Sequence, residues 1–228
     1  MTELVRAEFH CHSSRSSDGW PDPRAFIDAA RRKGIQRLAV TDHNSISAAQ
    51  EAKRLAPELI IVGEEIKTTV GEFLAYFVTR EIPRGLEPME VISRLKDQGA
   101  FISLSHPFDV VREHWPEDMI RELLPHLDAM EVFNARCFTD RPNRLAQNFA
   151  EMNDIPQLAG SDAHTIMEIG KATMQLPCFN NSEELRVALK QSTMQTRLSP
   201  FWVHLFSWSR SLSRKVFRAT TRWPSDGD

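Results

Sequence analysis

The sequence predicts one α/β barrel built from alternating strands and helices, and three observations carry that reading. Short apolar runs alternate with amphipathic segments along most of the chain, a pattern that implies parallel strand pairing with right-handed crossovers. The length, 228 residues with 41% apolar and 26% charged side chains, suits one well-cored domain of this class. Metal-ligating residue types fall at the carboxyl ends of predicted strands: His10 and His12, His43, Glu64 or Glu65, His106, and Asp162 with His164. In a barrel those ends form one rim, where active sites are built. Five of the 8 histidines belong to this set, and histidines scattered through a core would have no reason to choose strand ends.

The elements follow in order. Residues 4–11 read as a first strand with Val5, Ala7, Phe9 and Cys11 on its outward face and Glu8 sharing the inward face with His10 and His12. Asp22 as N-cap, Pro23 at the first position and Gly34 after the last turn bracket a helix. A strand over 35–41 runs into Asp42-His43-Asn44 and a helix over about 45–55. A strand over 59–62 leads into Gly63-Glu64-Glu65, and 66–78, interrupted by Gly71, reads as a β-hairpin. A helix over 87–97 precedes a strand over 100–104 that ends in Ser105-His106-Pro107. Helix 117–124, strand 127–133, helix 141–153 and strand 155–160 follow, the last ending in Gly160-Ser161-Asp162-Ala163-His164. A seventh strand near 171–176 and a helix over 182–191 complete the body.

Charge and cysteine usage narrow the classes. The net charge of −3 gives no nucleic-acid footprint spread over the whole surface. Six basic residues from Arg197 onward face only Asp226 and Asp228, so the body is more acidic than the chain as a whole. The three cysteines, Cys11, Cys137 and Cys178, match no zinc-finger or disulfide spacing and read as reduced thiols. No signal-peptide-like run and no stretch of about 18 consecutive apolar residues is present, and the expectation is a soluble cytoplasmic protein.

The stretch FHCHSSRSSDG holds two histidines that point the same way from a strand end, a two-toothed metal grip. Together with TDH (Thr41–His43), GEE (Gly63–Glu65), SHP (Ser105–Pro107) and GSDAH (Gly160–His164), in that order, it resembles the PHP family, the polymerase and histidinol phosphatase domain. The resemblance covers residues 6 to about 176. It implies a distorted (β/α)7 TIM-like barrel, two or three clustered divalent metal ions, zinc, manganese or iron, and phosphoester hydrolysis by hydroxide generated at the metals. The sequence is most similar to the small single-domain phosphoesterases of that family.

Mapped residue by residue, the resemblance implies a first metal on His10, His12, Asp162 and a bridging glutamate. A second would share that glutamate and take His106, with Asn134 of the run EVFNAR. The third would take Asp18, His43 and His164. The family's Gly-x-Glu favours Glu65 over Glu64 as the bridge. Asn134 departs from the cysteine or histidine found in some members and is a poor ligand. Imidazole with carboxylate suits zinc, manganese or iron, and clustered cations polarise phosphoryl oxygens and lower the pKa of bound water. Asp42, beside His43, reads as a group that orients a histidine or accepts a proton, or else as the cap of the next helix. Arg15 and Arg136 are placed to grip phosphate in a bidentate fork.

Residues 1–196 are therefore expected to form the catalytic barrel and 197–228 a basic amphipathic C-terminal helix and tail. In that helix Phe201, Leu205, Trp208, Leu212 and Val216 recur at helical spacing; the stripe suits packing over the barrel, or contact of 201–218 with an anionic membrane surface. The expected substrate is a small phosphorylated metabolite, a nucleotide or a short oligonucleotide, with no stable nucleic-acid partner. Two other readings stand beside this one. An amidohydrolase-like C–N hydrolase would also open with His-x-His, but normally adds a bridging lysine on a middle strand. A catalytically idle metal-binding or regulatory module would keep the fold without turnover.

Overall fold

The period-2 apolar runs fold into strands and the amphipathic segments into the helices that cover them, and a computed structural model describes residues 3–14, 22–112 and 114–203. Nine strands form one sheet: β1 (Leu4–Glu8), β2 (Arg37–Val40), β3 (Ile60–Lys67), β4 (Glu72–Tyr76), β5 (Phe101–Leu104), β6 (Ala129–Asn134), β7 (Gln157–Gly160), β8 (Ala172–Pro177) and β9 (Thr193–Thr196). Their order is β7-β6-β5-β4-β3-β2-β1-β8-β9. The described helices are α1 (Pro23–Arg32), α2 (Ser47–Leu55), α3 (Pro88–Lys96), α4 (Glu117–Leu123), α5 (Arg141–Met152) and α6 (Ser182–Ala188). The sheet curls into a nearly closed TIM-like barrel. At the rim the seam is bridged between Cys11, just past β1, and Ala163, just past β7, with His12 N–H donating to Ala163 O at 2.8 Å. Lower down, β8 fills the seam by pairing antiparallel with β1.

Two apolar layers follow from this wall. Val5, Ala7, Phe9, Ala39, Ile61, Leu74, Tyr76, Phe101, Ala129 and Leu158, drawn from nearly every strand, pack together inside the barrel. Outside, one cluster joins α1 and α2 to β2 and β3, and another joins α3, α4 and α5 to β3 through β6. The lower end is closed by α6. Leu185, Ala188 and Leu189 enter the interior cluster, Ser182 Oγ donates to Gly99 O at 2.7 Å and Arg186 Nε to Asp128 Oδ1 at 2.7 Å. The expected cap on α1 is present, with Asp22 accepting from Arg24 N–H at 2.8 Å and Ala25 N–H at 2.9 Å.

Four expectations need correction. The wall is not parallel throughout: β4 pairs antiparallel with both β3 and β5, because the return arm of the predicted hairpin takes a place in the wall. Glu64 and Glu65 accordingly lie inside a long β3 instead of beyond its end. Val5, Ala7 and Phe9 face the barrel interior, whereas Cys11 packs outside against Phe26 and Ile35. Regular pairing of β1 stops at Glu8, and the inside–outside alternation slips by one residue between Phe9 and Cys11. Finally, β9 was not anticipated; its polar sequence TMQT lacks the apolar alternation that marks a strand. The expected C-terminal helix lies almost wholly outside the described residues, which end at Val203, so the floor supplied by α6 is the one visible here. No described helix is long and apolar enough to cross a membrane.

Candidate metal centre and pocket

The strand ends deliver their polar side chains to one point. His10 Nδ1 lies 2.8 Å from Glu131 Oε1, so that carboxylate accepts a hydrogen bond from Nδ1–H, and in the neutral ring the Nε2 lone pair faces inward. There His10 Nε2 meets His12 Nε2 at 3.0 Å, Glu65 Oε1 at 3.3 Å and Asp162 Oδ1 at 3.5 Å. His12 Nε2 lies 3.3 Å from Glu65 Oε2 and 3.2 Å from Asp162 Oδ1. His43 Nδ1 is 2.9 Å from Glu65 Oε2, and His106 Nε2 is 3.3 Å from Glu65 Oε1. His164 Nδ1 stands 3.5 Å from Asp162 Oδ1.

Strand alternation sends the adjacent glutamates to opposite faces of β3. Glu65 points into the barrel and touches four histidines. Glu64 points outward, accepts the Ile82 N–H at 3.1 Å, and is pushed up to about 8 by burial, with Glu81 adding to the effect and that hydrogen bond opposing it.

A donor set of this kind fits divalent cations. Inward lone pairs on His10 and three carboxylates within a few ångströms repel one another unless a positive charge sits among them. These groups also shift one another's protonation. Burial would depress His10, yet Asp162, Glu131 and Glu65 hold it well above its ordinary value. Burial would raise Glu65, but His10 and His43 hold it well below the usual range; Asp162 is likewise depressed, by His10 and Arg112 against the effect of burial. Glu72 is raised by burial and then by the neighbouring Glu65. Three triads bring one ligand atom from each residue within 4.8 Å of the others: His10–His12–Asp162, His12–His43–His164 and His43–Glu65–Glu72.

Other predicted residues take more specific places. Asp42 is buried, but it does not cap α2; its carboxylate accepts Ser13 N–H at 2.6 Å and Ser13 Oγ–H at 2.5 Å, locking the loop after His12. Asn134 is enclosed by partners. Its Nδ2 donates to Glu131 Oε2 at 3.1 Å and Asp162 Oδ2 at 3.2 Å, and its Oδ1 accepts from Arg136 N–H at 2.9 Å and from Arg112 Nη2 at 3.2 Å. Arg136 is buried, with Nε 3.5 Å from Glu168 Oε1. Arg15 and Asp18 lie outside the described residues. Lys67 ends β3 but does not line the pocket.

Four charged residues were missed by sequence reasoning. Glu72 sits on β4, which was read only as part of a β-hairpin; its Oε2 is 3.5 Å from His106 Nε2. Glu131 lies within β6, two residues inside its start, and no strand-end position marked it. Arg112 and Glu168 come from loops whose paths no local pattern fixes. Above these groups opens a cavity of ≈ 160 Å³ lined by His43, Glu65, Glu72, His106, Val111, Arg112, Arg136, Phe138, Asp162 and His164. Two of its residues, His106 (φ 25) and Asp162 (φ 50), occupy left-handed backbone conformations that side chains other than glycine seldom adopt.

Comparison with known proteins agrees with this architecture. A family model described as the PHP domain matches residues 8–101, and one described as PHP-associated matches 140–193. An uncharacterised protein of Methanocaldococcus jannaschii is 35% identical over 180 residues, 77% of this chain and 72% of that protein. The chain belongs to the PHP family. Among solved structures, a two-domain protein of Bacteroides vulgatus containing a predicted PHP-like metal-dependent phosphoesterase superposes with a TM-score of 0.71 at 20% identity, covering 86% of this chain and 66% of that one. A lesion-specific endonuclease of Pyrococcus furiosus gives 0.62 at 16% identity, covering 84% and 58%. These PHP likenesses account for the barrel, and the His, Asp and Glu clusters of this PHP chain are ones that could bind metal.

Proposed function

We propose that this PHP chain is a metal-dependent phosphoesterase acting on a phosphomonoester or phosphodiester of a small metabolite or nucleotide. The observation that carries the reading is a pocket lined by three histidines, three carboxylates and two arginines, with His10 and His12 meeting its Glu65 and Asp162 from the barrel interior. His10, His12, Asp162 and Glu65 would hold a first cation; Glu65, His106 and Glu72 a second; His43 and His164, with Asp18, a third. Asn134, with both ends of its amide engaged, serves in this reading as a brace. Divalent ions held there supply Lewis acidity toward phosphoryl oxygens and acidify bound water.

The remaining work falls to the chain's own groups. Glu131 fixes the His10 tautomer, and Asp42 holds the Ser13 loop so that His12 stays in register. Arg136, buried against Glu168, offers positive charge to a phosphate; Arg15 is assigned the same task. Val111 and Phe138, 66% and 53% exposed, give the pocket mouth an apolar lip that suits an alcohol carrying a ring, such as a nucleoside.

Metal analysis of the purified protein, joined to a phosphatase screen over mononucleotides, 3′,5′-bisphosphates, short oligonucleotides and sugar phosphates, tests the reading. Hydrolysis that disappears, with loss of bound metal, in a His10→Ala, His12→Ala double variant is the expected result. Activity unchanged in that variant would sink the mechanism. Turnover confined to amides would move the protein to C–N hydrolysis.

A further inference from the structure

Arg112 lies on the loop that follows β5, six residues after His106, and this arginine is held with more care than a surface charge needs. Its Nε donates to Asp109 Oδ2 at 2.9 Å, its Nη1 to Asp162 Oδ2, and its Nη2 to Asn134 Oδ1 at 3.2 Å. All three acceptors are buried, at 3%, 2% and 1% exposure. Asp109 is itself fixed: its Oδ1 accepts the Val111 N–H at 3.1 Å, its N–H donates to His106 O at 3.1 Å, and Cys137 Sγ approaches its Oδ2 at 3.7 Å. A guanidinium has five N–H donors in a rigid plane. Three are committed here, which leaves one on each Nη, and the side chain is 28% exposed where it lines the pocket beside His43, His106, His164 and Arg136.

Asp162 divides its two oxygens between two tasks. Oδ1 faces His10, His12 and His164, and Oδ2 faces Arg112 and Asn134. A cation taken up at Oδ1 therefore leaves the Arg112 contact in place, and the guanidinium stays beside the cation cluster without rearranging. A brace for Asp162 alone would need neither the Asp109 contact nor a guanidinium left open to the cavity.

We propose that Arg112 grips the non-bridging oxygens of the substrate phosphate with its two uncommitted N–H groups, at a position fixed by Asp109, Asn134 and Asp162. The proposal rests on the phosphoesterase reading and adds to it the group that orients the phosphoryl centre. The geometry suits the task, because charge accumulates on those oxygens in the transition state and a donor that is already positioned costs no reorganisation when it does. A planar fork matches two phosphate oxygens at once, whereas an ammonium offers a single point of charge.

Inorganic phosphate is the probe, titrated calorimetrically into the full-length, metal-reconstituted protein alongside metal content and thermal unfolding. Arg112→Lys preserves a positive charge against Asp162, so it keeps the fold and the metals and serves if Arg112→Ala does not fold. The expected result is wild-type metal content in Arg112→Lys with at least a tenfold loss of phosphate affinity, and a fall in kcat/KM on the order of 100-fold, the scale of losing one preorganised donor. Two outcomes overturn the proposal: phosphate affinity within twofold of wild type in folded, metal-replete Arg112→Lys, or no phosphate binding by the metal-replete wild type. A lack of turnover by the wild type on every ester instead defeats the phosphoesterase reading, and leaves the phosphate titration to judge Arg112 separately.

Discussion

Gly160 stands where three strands crowd, and replacing it with alanine is a sharp test of how the metal grip is built. A Cβ at this position would lie well inside van der Waals contact of the His10 Cβ and 2.5 Å from Glu131 Oε1. Ordinary carbon–oxygen contact requires roughly 0.7 Å more, so either β1 parts from β7 or the 2.8 Å pairing of His10 Nδ1 with Glu131 is broken. Overpacking of this type costs about 1–3 kcal/mol. Losing a hydrogen bond to a charged partner adds about 1.5–3 kcal/mol. At about 2–4 °C per kcal/mol for a chain of this size, Gly160→Ala should lower Tm by on the order of 10 °C. With His10 no longer oriented by its carboxylate, metal affinity should fall about 10–100-fold. Differential scanning calorimetry and a chelator competition read the two effects. Gly34→Ala is the control: its backbone (φ +67) is strained for alanine, but its added Cβ meets nothing within 4 Å, so it costs about 1 kcal/mol and leaves metal binding intact. Gly160→Ala with wild-type metal affinity and unchanged Tm would refute the claim that this glycine makes room for the His10–Glu131 pair.

Other substitutions probe separate parts of the site. Glu131→Gln should weaken metal binding about 10–100-fold, since the carboxylate serves His10 Nδ1, His106 N–H and Asn134 Nδ2 at once; chelator competition measures it. Glu64 is raised from 4.5 to about 8, so the folded state holds a proton that the unfolded state releases, and stability is full below about 4.5 and declines as pH rises toward 8. Glu64→Gln should remove that decline, worth a few kcal/mol at about 1.4 per pKa unit, and urea denaturation at pH 5 and pH 8 shows it; parallel pH profiles for the two proteins would contradict the assignment. Lys33 Nζ ties down the carbonyls of Ile166, Met167 and Ile169, at 2.9, 3.2 and 2.5 Å. Lys33→Met should loosen the loop just after His164, seen as faster amide exchange across 165–170 with the rest of the barrel unchanged.

Much of the centre was legible because strand-end chemistry is local. His10 and His12 share a direction from one strand end, and each of His43, His106, Asp162 and His164 sits within a few residues of a predicted strand terminus, so a barrel necessarily gathers them. What escaped depended on long-range placement. Glu72 joins the site only because β4 enters the wall between β3 and β5, a pairing decided by space and not by its own sequence. The slip after Phe9 reversed the expected faces of β1, since simple alternation cannot foresee the point where regular pairing yields to a seam. The positive φ values at His106 and Asp162 were hidden for a related reason: neither residue type announces a left-handed backbone, and the surrounding contacts impose it. The opposite faces of Glu64 and Glu65, by contrast, follow directly from the phase of β3.

The seam also ties occupancy of the centre to completion of the chain. Glu8 of β1, buried and raised to about 7 by burial against the hydrogen bonds it accepts, takes the N–H and hydroxyl of Ser161 and the N–H of Gly170. His10 and His12 come from one side of this closure and Asp162 and His164 from the other, 150 or more residues later in sequence. If these four residues hold metal as proposed, the ligand set is complete only once the two sides have met. A cation that bound only the closed ring would hold it shut by RT ln(1 + [L]/Kd), and the free metal concentration would then act as a thermodynamic latch on the barrel.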